Sequence, residues 1–301
     1  MNESVWITGV SGFTGRHLTA FLHRLPSRPR LIGLDLRAAS VPHLDALHGI
    51  DIGDAAAIGE LARAEPPTRV IHLAGLMPPA ADADMWRANV GGTGSLLHGL
   101  HAARVPIRRI VSIGSAAEYS RDAASPLTED APCAGASAYG VTKVAQTLLA
   151  RHLGAQFGFA VDVARPFNLL GPGLPSHLVA GSLVRQFVEA DSGAVRVGNT
   201  HTARDFVDVR DAVRAYWLLA SRDGAGGVFN VCSGAPTTIG RLVQTLQRLS
   251  GREIRIETDP ARVRRDDQAE VYGSAARLSA ATGWAPQIPL ERSLGDMLEP
   301  A

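Results

Sequence analysis

Cysteine is scarce in this chain: two among 301 residues, Cys133 and Cys232, far apart and outside any CxxC spacing. Such usage fits reduced thiols of a cytosolic protein and argues against a disulfide framework or a metal site. Aromatic residues make up only 5%, and no basic stripe alternates with them, so nucleic acid is not expected as a partner. The formal net charge is only +1. No apolar run approaches the length needed to cross a bilayer. Met1-Asn2-Glu3-Ser4 leads almost at once into an apolar strand, which leaves no room for a signal peptide. Internal repeats and low-complexity linkers are absent as well. What is left is a chain 46% hydrophobic and 20% charged, enough for one α/β domain with an appendage or for two domains.

Apolar strand runs alternate with helical stretches, the pattern of a doubly wound parallel sheet covered on both faces. Strands are expected at Val5–Thr8, Leu31–Asp35, Ile50–Ile52, Val70–Ala74, Arg109–Ile113, Ala160–Ala164 and Val228–Val231. Helices are expected at Gly15–Leu25, Asp54–Ala64, Asp84–Arg104, Ala138–Phe157 and Val213–Ala220. After Pro166 glycine and proline become frequent, and a smaller C-terminal domain is expected to begin. The division is drawn as residues 1–166, rejoined by about 203–233, for a Rossmann-type dinucleotide-binding domain. Residues 167–202 and 234–301 then form a substrate-binding domain.

Gly9-Val10-Ser11-Gly12-Phe13-Thr14-Gly15 follows the first strand directly. Gly9 allows a tight turn, Gly12 lets backbone N–H groups approach a pyrophosphate, and Gly15 lets the helix pack closely. Three glycines alone also fit an ordinary strand–turn–helix junction. Asp35 strengthens the cofactor reading: it closes the second strand, where a carboxylate can bond both hydroxyls of an adenosine ribose. That carboxylate repels a 2′-phosphate and favours NAD(H), while Arg37 leaves NADP(H) open.

Tyr139-Gly140-Val141-Thr142-Lys143 is a YxxxK pattern at the start of a long helix, with phenol and ammonium one turn apart on one face. A free phenol titrates near ~10. A neighbouring ammonium is expected to bring it closer to neutrality and make it a usable acid–base group. By itself the pattern more often marks an exposed surface pair. Ser115, at the end of the fifth strand, supplies a hydroxyl where ligands meet an open α/β sheet. Asn89 either holds a water near Lys143 or bonds neighbouring backbone as a packing amide.

With these residues in order, the chain resembles the extended branch of the short-chain dehydrogenases/reductases, which act on nucleotide-diphosphate sugars. The matching elements are Gly9-x-x-Gly12-Phe13-Thr14-Gly15, Asp51, His72-Leu73-Ala74-Gly75, Asn89-x-x-Gly92-Thr93, Ser115, Tyr139-x-x-x-Lys143 and Arg165-Pro166-Phe167-Asn168. The resemblance implies Ser115, Tyr139 and Lys143 as catalytic residues. It implies a cofactor site of Gly9, Gly12, Phe13, Thr14, Gly15, Asp35, Asp51, Ile52, Leu73, Ala74 and Gly75, with Tyr139 and Lys143. Substrate contacts are implied for Asn89, Ser115, Ala116, Asn168, Arg204 and Arg264. Arginine suits a diphosphate because its fork binds two oxygens; a solvated basic turn is the plainer reading of Arg264. A cytoplasmic homodimer is implied through the helices near 84–104 and 138–157, with Leu96, Leu97, Leu100, Leu148 and Leu149 as candidate contacts. Within the family the second half is most similar to reductases of GDP-4-keto-6-deoxy-D-mannose, on stretches such as Val197-Gly198-Asn199 and Thr282-Gly283-Trp284.

Four departures matter. Dehydratases of this branch carry acidic residues directly after the active hydroxyl residue; here those positions are Ala116 and Ala117, and methyl groups transfer no protons. The loop Met77-Pro78-Pro79 is apolar for a sugar-contacting segment. Ala138 replaces the proline common before the active tyrosine, and Ser120 a common glycine. Two enzymatic readings stay open: a reductase of the C4 keto group of a GDP-4-keto-6-deoxy-hexose, and an NAD-dependent nucleotide-sugar 4-epimerase. A non-catalytic nucleotide-binding regulator is the third.

Overall fold

The computed structural model describes residues 3–37, 40–189, 194–252, 254–263 and 268–299. Its first half is a run of strand–helix units: β1 (Ser4–Thr8), α1 (Phe13–His23), β2 (Arg30–Asp35), β3 (Ala46–Gly49), α2 (Ala55–Ala64) and β4 (Arg69–His72). The chain continues through α3 (Asp82–Met85), a π-helical turn (Trp86–Gly91), α4 (Gly92–Ala103), β5 (Arg109–Ile113), α5 (Ala138–Phe157) and β6 (Val161–Pro166). All these strands are parallel and join in the order β6-β5-β4-β1-β2-β3. All but the edge strand β3 are buried along most of their length because both faces of the sheet are covered. Within β1, Val5 and Ile7 enter the core on the α1 side, while Trp6 enters the one beneath α2, α4 and α5.

The second half starts with β7 (Asn168–Leu170), α6 (Val179–Glu189), β8 (Ala194–Val197), β9 (Ala203–Asp208) and α7 (Val209–Ser221). Next come β10 (Val228–Val231), β11 (Pro236–Thr238), α8 (Ile239–Ser250), β12 (Arg255–Thr258), β13 (Glu270–Val271), α9 (Ala276–Thr282) and α10 (Leu290–Leu298). Strand β10 pairs parallel with β6 and becomes the seventh strand of the main sheet. Strands β7, β11 and β13 gather on β9, and β8 pairs with β12. With α6, α8 and α10 they enclose a separate apolar core. The C-terminal segment is moored to the sheet's cover helix: Asp211 on α7 accepts from the backbone N–H groups of Gln287 and Ile288, and Trp284 Nε1 donates to the Asp211 carbonyl.

Three expected elements differ. The third strand lies at Ala46–Gly49 rather than at 50–52, because Asp51 turns the chain there: its carboxylate accepts from Gly53 N, and Asp54 then caps α2. The helix expected over 84–104 begins at Asp82 and carries the π turn at Trp86–Gly91. Ser115 lies beyond β5, as the N-cap of a 3₁₀ turn over Ala116–Glu118. Leu96, Leu97 and Leu100 are buried in this chain's own core, whereas Leu148 is 61% exposed and Leu149 half-buried. No helix among the described residues is long and apolar enough to cross a membrane.

The inserted lobe returns to the sheet through one buried carboxylate. Asp162 on β6 is fully buried and accepts from Arg109 on β5, from Arg222 just after α7, and from Gly227 N just before β10. Removing one member of such a pair leaves an uncompensated buried charge, which costs about 3–5 kcal/mol. Asp162→Asn is therefore expected to lower the unfolding free energy by about 3 kcal/mol or more in a denaturant titration; a loss below 1 kcal/mol would show that the three donors need no anion.

Candidate active site

The sheet reverses its winding between β1 and β4, and the crevice above that point is where an open α/β sheet takes its ligand. A cleft of about 2140 Å³ opens there and runs on between the two lobes. Its first wall is the turn after β1. Gly9 has φ +65°, and a Cβ there would lie 2.8 Å from Ala74 N and Cα, so only glycine allows the turn to touch the loop after β4. A Cβ on Gly15 would fall 2.3 Å from the Val10 carbonyl oxygen; this glycine permits the turn to close on itself rather than helix to meet strand. No side chain caps the N-terminus of α1 at Gly12. Its backbone donors and positive dipole end suit a pyrophosphate.

Asp35, at the tip of β2, accepts from Ser11 N (3.0 Å) and Ser11 Oγ (2.6 Å). The carboxylate thereby ties the glycine turn to β2 while lining the cleft. Phe13, Thr14, Asp51, Ile52, Leu73, Ala74 and Gly75 line the same cleft. These residues fit a nicotinamide dinucleotide: an uncapped helix end for the pyrophosphate, and a carboxylate one strand away for a ribose.

The loop after β4 is held by a proton-ordered chain. Ala74 N donates to Thr8 Oγ1 (3.0 Å), and Thr93 Oγ1 donates to the Asn89 carbonyl (2.7 Å). Both hydroxyls also bond His72, at Nδ1 (2.7 Å) and Nε2 (2.9 Å). With the Thr93 proton already given to Asn89, Nε2 must carry the imidazole hydrogen, and Nδ1 accepts from Thr8. His72 is fully buried and its pKa is pushed down to about 3, chiefly by burial and then by the Lys143 charge. It is a neutral structural link.

Asn89, also fully buried, spends its amide on protein. Leu76 N donates to Oδ1 (2.7 Å), while Nδ2 donates to the Leu76 carbonyl (2.9 Å) and to Thr142 Oγ1 (2.9 Å). Asn89 thereby clamps the cleft loop to α5 while lining the cleft.

The reacting groups meet across β5 and α5. Ser115, Tyr139 and Lys143 all line the cleft, with Ala116 and Ala117 beside them. Ser137 caps α5 by accepting from Gly140 N (3.1 Å). Gly140 lets the helix start press on the 3₁₀ turn, where a Cβ would lie 2.4 Å from the Ala117 carbonyl oxygen. That approach sets the Tyr139 phenol beside the Ser115 side chain, both lining the cleft. The phenol pKa is raised, mainly by burial; the Ser115 hydroxyl pulls it down and the Glu118 carboxylate pushes it up. The expected lowering by Lys143 is not what the geometry gives. Lys143 is 6% exposed and donates to the Ile113 carbonyl (2.5 Å) and Gln146 Oε1 (2.5 Å). Burial lowers its pKa to about 8, against a rise from Glu118. Burial thus favours the neutral form of both groups, and the Glu118 charge opposes it at Lys143.

Sequence reading missed Glu118 and Gln146. Gln146 was findable, one turn beyond Lys143 on the buried face of α5. It also donates to Ser112 Oγ (3.3 Å) and so braces the ammonium against β5. Across the cleft, Asn168 Nδ2 donates to the Asp205 carbonyl, and Arg204 Nη1 donates to the carbonyls of Ala203 and Gln268. Both side chains line the second lobe's part of the cleft. Arg264 falls outside the described residues.

A family model described as the NAD dependent epimerase/dehydratase family matches residues 5–232. The chain is 36% identical to GDP-6-deoxy-D-mannose reductase of Pseudomonas aeruginosa, over 99% of this chain and 97% of that protein. It is 25% identical to a UDP-glucose 4-epimerase of Halalkalibacterium halodurans, over 99% and 94%. Among solved structures, RMD from Pseudomonas aeruginosa complexed with NADPH superposes with a TM-score of 0.84 at 34% identity, covering 99% of this chain and 98% of that one.

His72 makes a signed prediction. Its folded pKa lies below the ~6.5 of an unfolded histidine, so the unfolded state binds the extra proton and stability falls as pH drops from ~6.5 towards 3. The slope is about 1.4 kcal/mol per pH unit once the unfolded imidazole is charged. Denaturant titrations between pH 6.5 and 5 should show a shallower slope for His72→Gln than for the parent chain; equal slopes would contradict a buried neutral imidazole.

Proposed function

The chain belongs to the NAD dependent epimerase/dehydratase family, and from that premise we propose that it reduces the C4 keto group of a GDP-4-keto-6-deoxy-hexose with a nicotinamide cofactor. The observation that carries this reading is the 36% identity over 99% of the chain to a GDP-6-deoxy-D-mannose reductase, with Ser115, Tyr139 and Lys143 together lining the cleft. Reduction of a carbonyl needs a proton donor, and a protonated Tyr139 is one. Oxidation of a sugar alcohol, the first half of a 4-epimerisation, needs a base instead.

A bound nicotinamide supplies the hydride. Ser115 donates to the carbonyl oxygen, Tyr139 passes its proton to that oxygen as charge develops, and the Lys143 ammonium stabilises the negative charge left near the phenol. Ala116 and Ala117 offer no acid or base for dehydration. The GDP-6-deoxy-D-mannose reductase relative supports the same substrate class.

Residues 1–166 with about 203–233 carry the cofactor in this reading, and 167–202 with 234–301 the nucleotide sugar. Asn168 and Arg204 are assigned to the diphosphate, and the family resemblance assigns Arg264 there as well. The Asp35 carboxylate favours NAD(H), because a 2′-phosphate would meet a negative charge. We also place the protein in the cytoplasm as a homodimer built on α4 and α5, where Val141 and Leu148 are exposed apolar residues for a second copy to cover. Sedimentation at twice 31.7 kDa supports that assembly, and sedimentation at the single-chain mass overturns it.

Purified protein mixed with a GDP-4-keto-6-deoxy-hexose is expected to consume NADH, followed at 340 nm, and to prefer NADH over NADPH. Tyr139→Phe should lower kcat by at least about a hundredfold. Turnover of C4 epimers by cofactor that stays bound through gel filtration, with no net consumption, would replace the reductase by the 4-epimerase. Undiminished activity in Tyr139→Phe would remove the catalytic assignment.

A further inference from the structure

Glu118 is a completely buried carboxylate behind the Ser115–Ala117 wall of the cleft, and nothing in the proton-transfer scheme above uses it. Its surroundings are built for it. Oε1 accepts from Ser115 N (2.9 Å), closing a capping box in which Ser115 Oγ accepts from Ala117 N (3.1 Å). Oε2 accepts from Arg165 Nε (2.9 Å), and Arg165 Nη2 lies 2.8 Å from it. Gly114 leaves room for the carboxylate, since a Cβ there would sit 2.3 Å from Oε1. The Glu118 carbonyl accepts from Gly135 N (3.0 Å), just ahead of α5.

The charges facing it can be named element by element. Arg165 comes from β6, stacks on the Tyr119 ring at 4.9 Å and donates to the Glu129 carbonyl. Tyr139 and Lys143 come from α5, and the Cys133 thiol from the loop between. A fixed negative charge at this place disfavours a phenolate and favours an ammonium, which is the charge state that a proton-donating Tyr139 requires. The same carboxylate holds the backbone of Ser115, so geometry and protonation are tied to one group.

We propose that Glu118, ion-paired with Arg165, is a positioning residue that fixes the Ser115 turn against Tyr139 and sets its negative charge beside the site of Lys143. This deepens the reductase reading and rests on it for direction, but its test needs no turnover. Lys143 is the single lysine of the chain. Protein made with [¹³Cε]lysine therefore gives one lysine side-chain resonance, and its titration reports Lys143 alone.

The parent chain is expected to titrate near pH 8. Glu118→Gln keeps an acceptor for Ser115 N but loses the charge, and should titrate lower by about one pH unit. Glu118→Asp keeps the charge and withdraws it from Ser115; the lysine should titrate close to the parent value. With the keto sugar as substrate, kcat should then fall about tenfold. If Glu118→Gln fails to fold because Arg165 is left unpaired, Glu118→Gln/Arg165→Gln removes both charges, and Glu118→Asp still has to hold the lysine titration in place. A Glu118→Gln titration at the parent pH, or a displaced one in Glu118→Asp, overturns the proposal. A parent chain that titrates as stated yet reduces no keto sugar overturns the reductase reading alone.

Discussion

Everything in the cleft depends on how closely the start of α5 approaches the turn after β5. Gly140 sits against the Ala117 carbonyl at a distance that no side chain would allow. Because of that contact the phenol of Tyr139 and the hydroxyl of Ser115 face the same part of the cleft, although they belong to different strand–helix units. Both sides of the contact are reinforced. Ser137 and Asn89 hold the helix, through Gly140 N and Thr142; Glu118 holds the turn, through Ser115 N. The sheet contributes by placing β5 centrally, with β4 and β6 paired on either side.

Burial then decides the chemistry. Tyr139 and Lys143 are both desolvated, and desolvation favours the neutral form of each. For the phenol that is the proton-donating form. For the lysine it would be the amine, and the Glu118 charge opposes that outcome. The site thus differs from a pair of isolated groups in which an ammonium simply acidifies its neighbour. The ammonium is tethered to Ile113 and Gln146, so its influence is exerted on charge that develops during reaction.

Much of this was legible in the chain. Alternating apolar runs located six of the seven main-sheet strands, because strands buried on both faces carry continuous Val/Ile/Leu stretches. Strand β3 escaped notice because Ala46–Gly49 is only partly buried and lies just before a more apolar-looking turn. The glycine turn, YxxxK and Ser115 lie close in sequence to the elements that carry them, so spacing alone could find them. Glu118 could not be found that way: its partner Arg165 is 47 residues away, and a glutamate beside two alanines looks like a solvated turn. Asn89 was ambiguous for a related reason. An amide reads alike in sequence whether it faces a ligand or a backbone, and only its hydrogen bonds to Leu76 and Thr142 reveal the clamp.

The most direct test follows the hydride. With nicotinamide cofactor deuterated at the transferred position and a GDP-4-keto-6-deoxy-hexose, the account predicts one deuterium at C4 of the product sugar for each cofactor oxidised, read by proton and deuterium NMR. Product sugar that forms without deuterium at C4, or with no cofactor consumed, would contradict a reductase whose Tyr139 donates the matching proton.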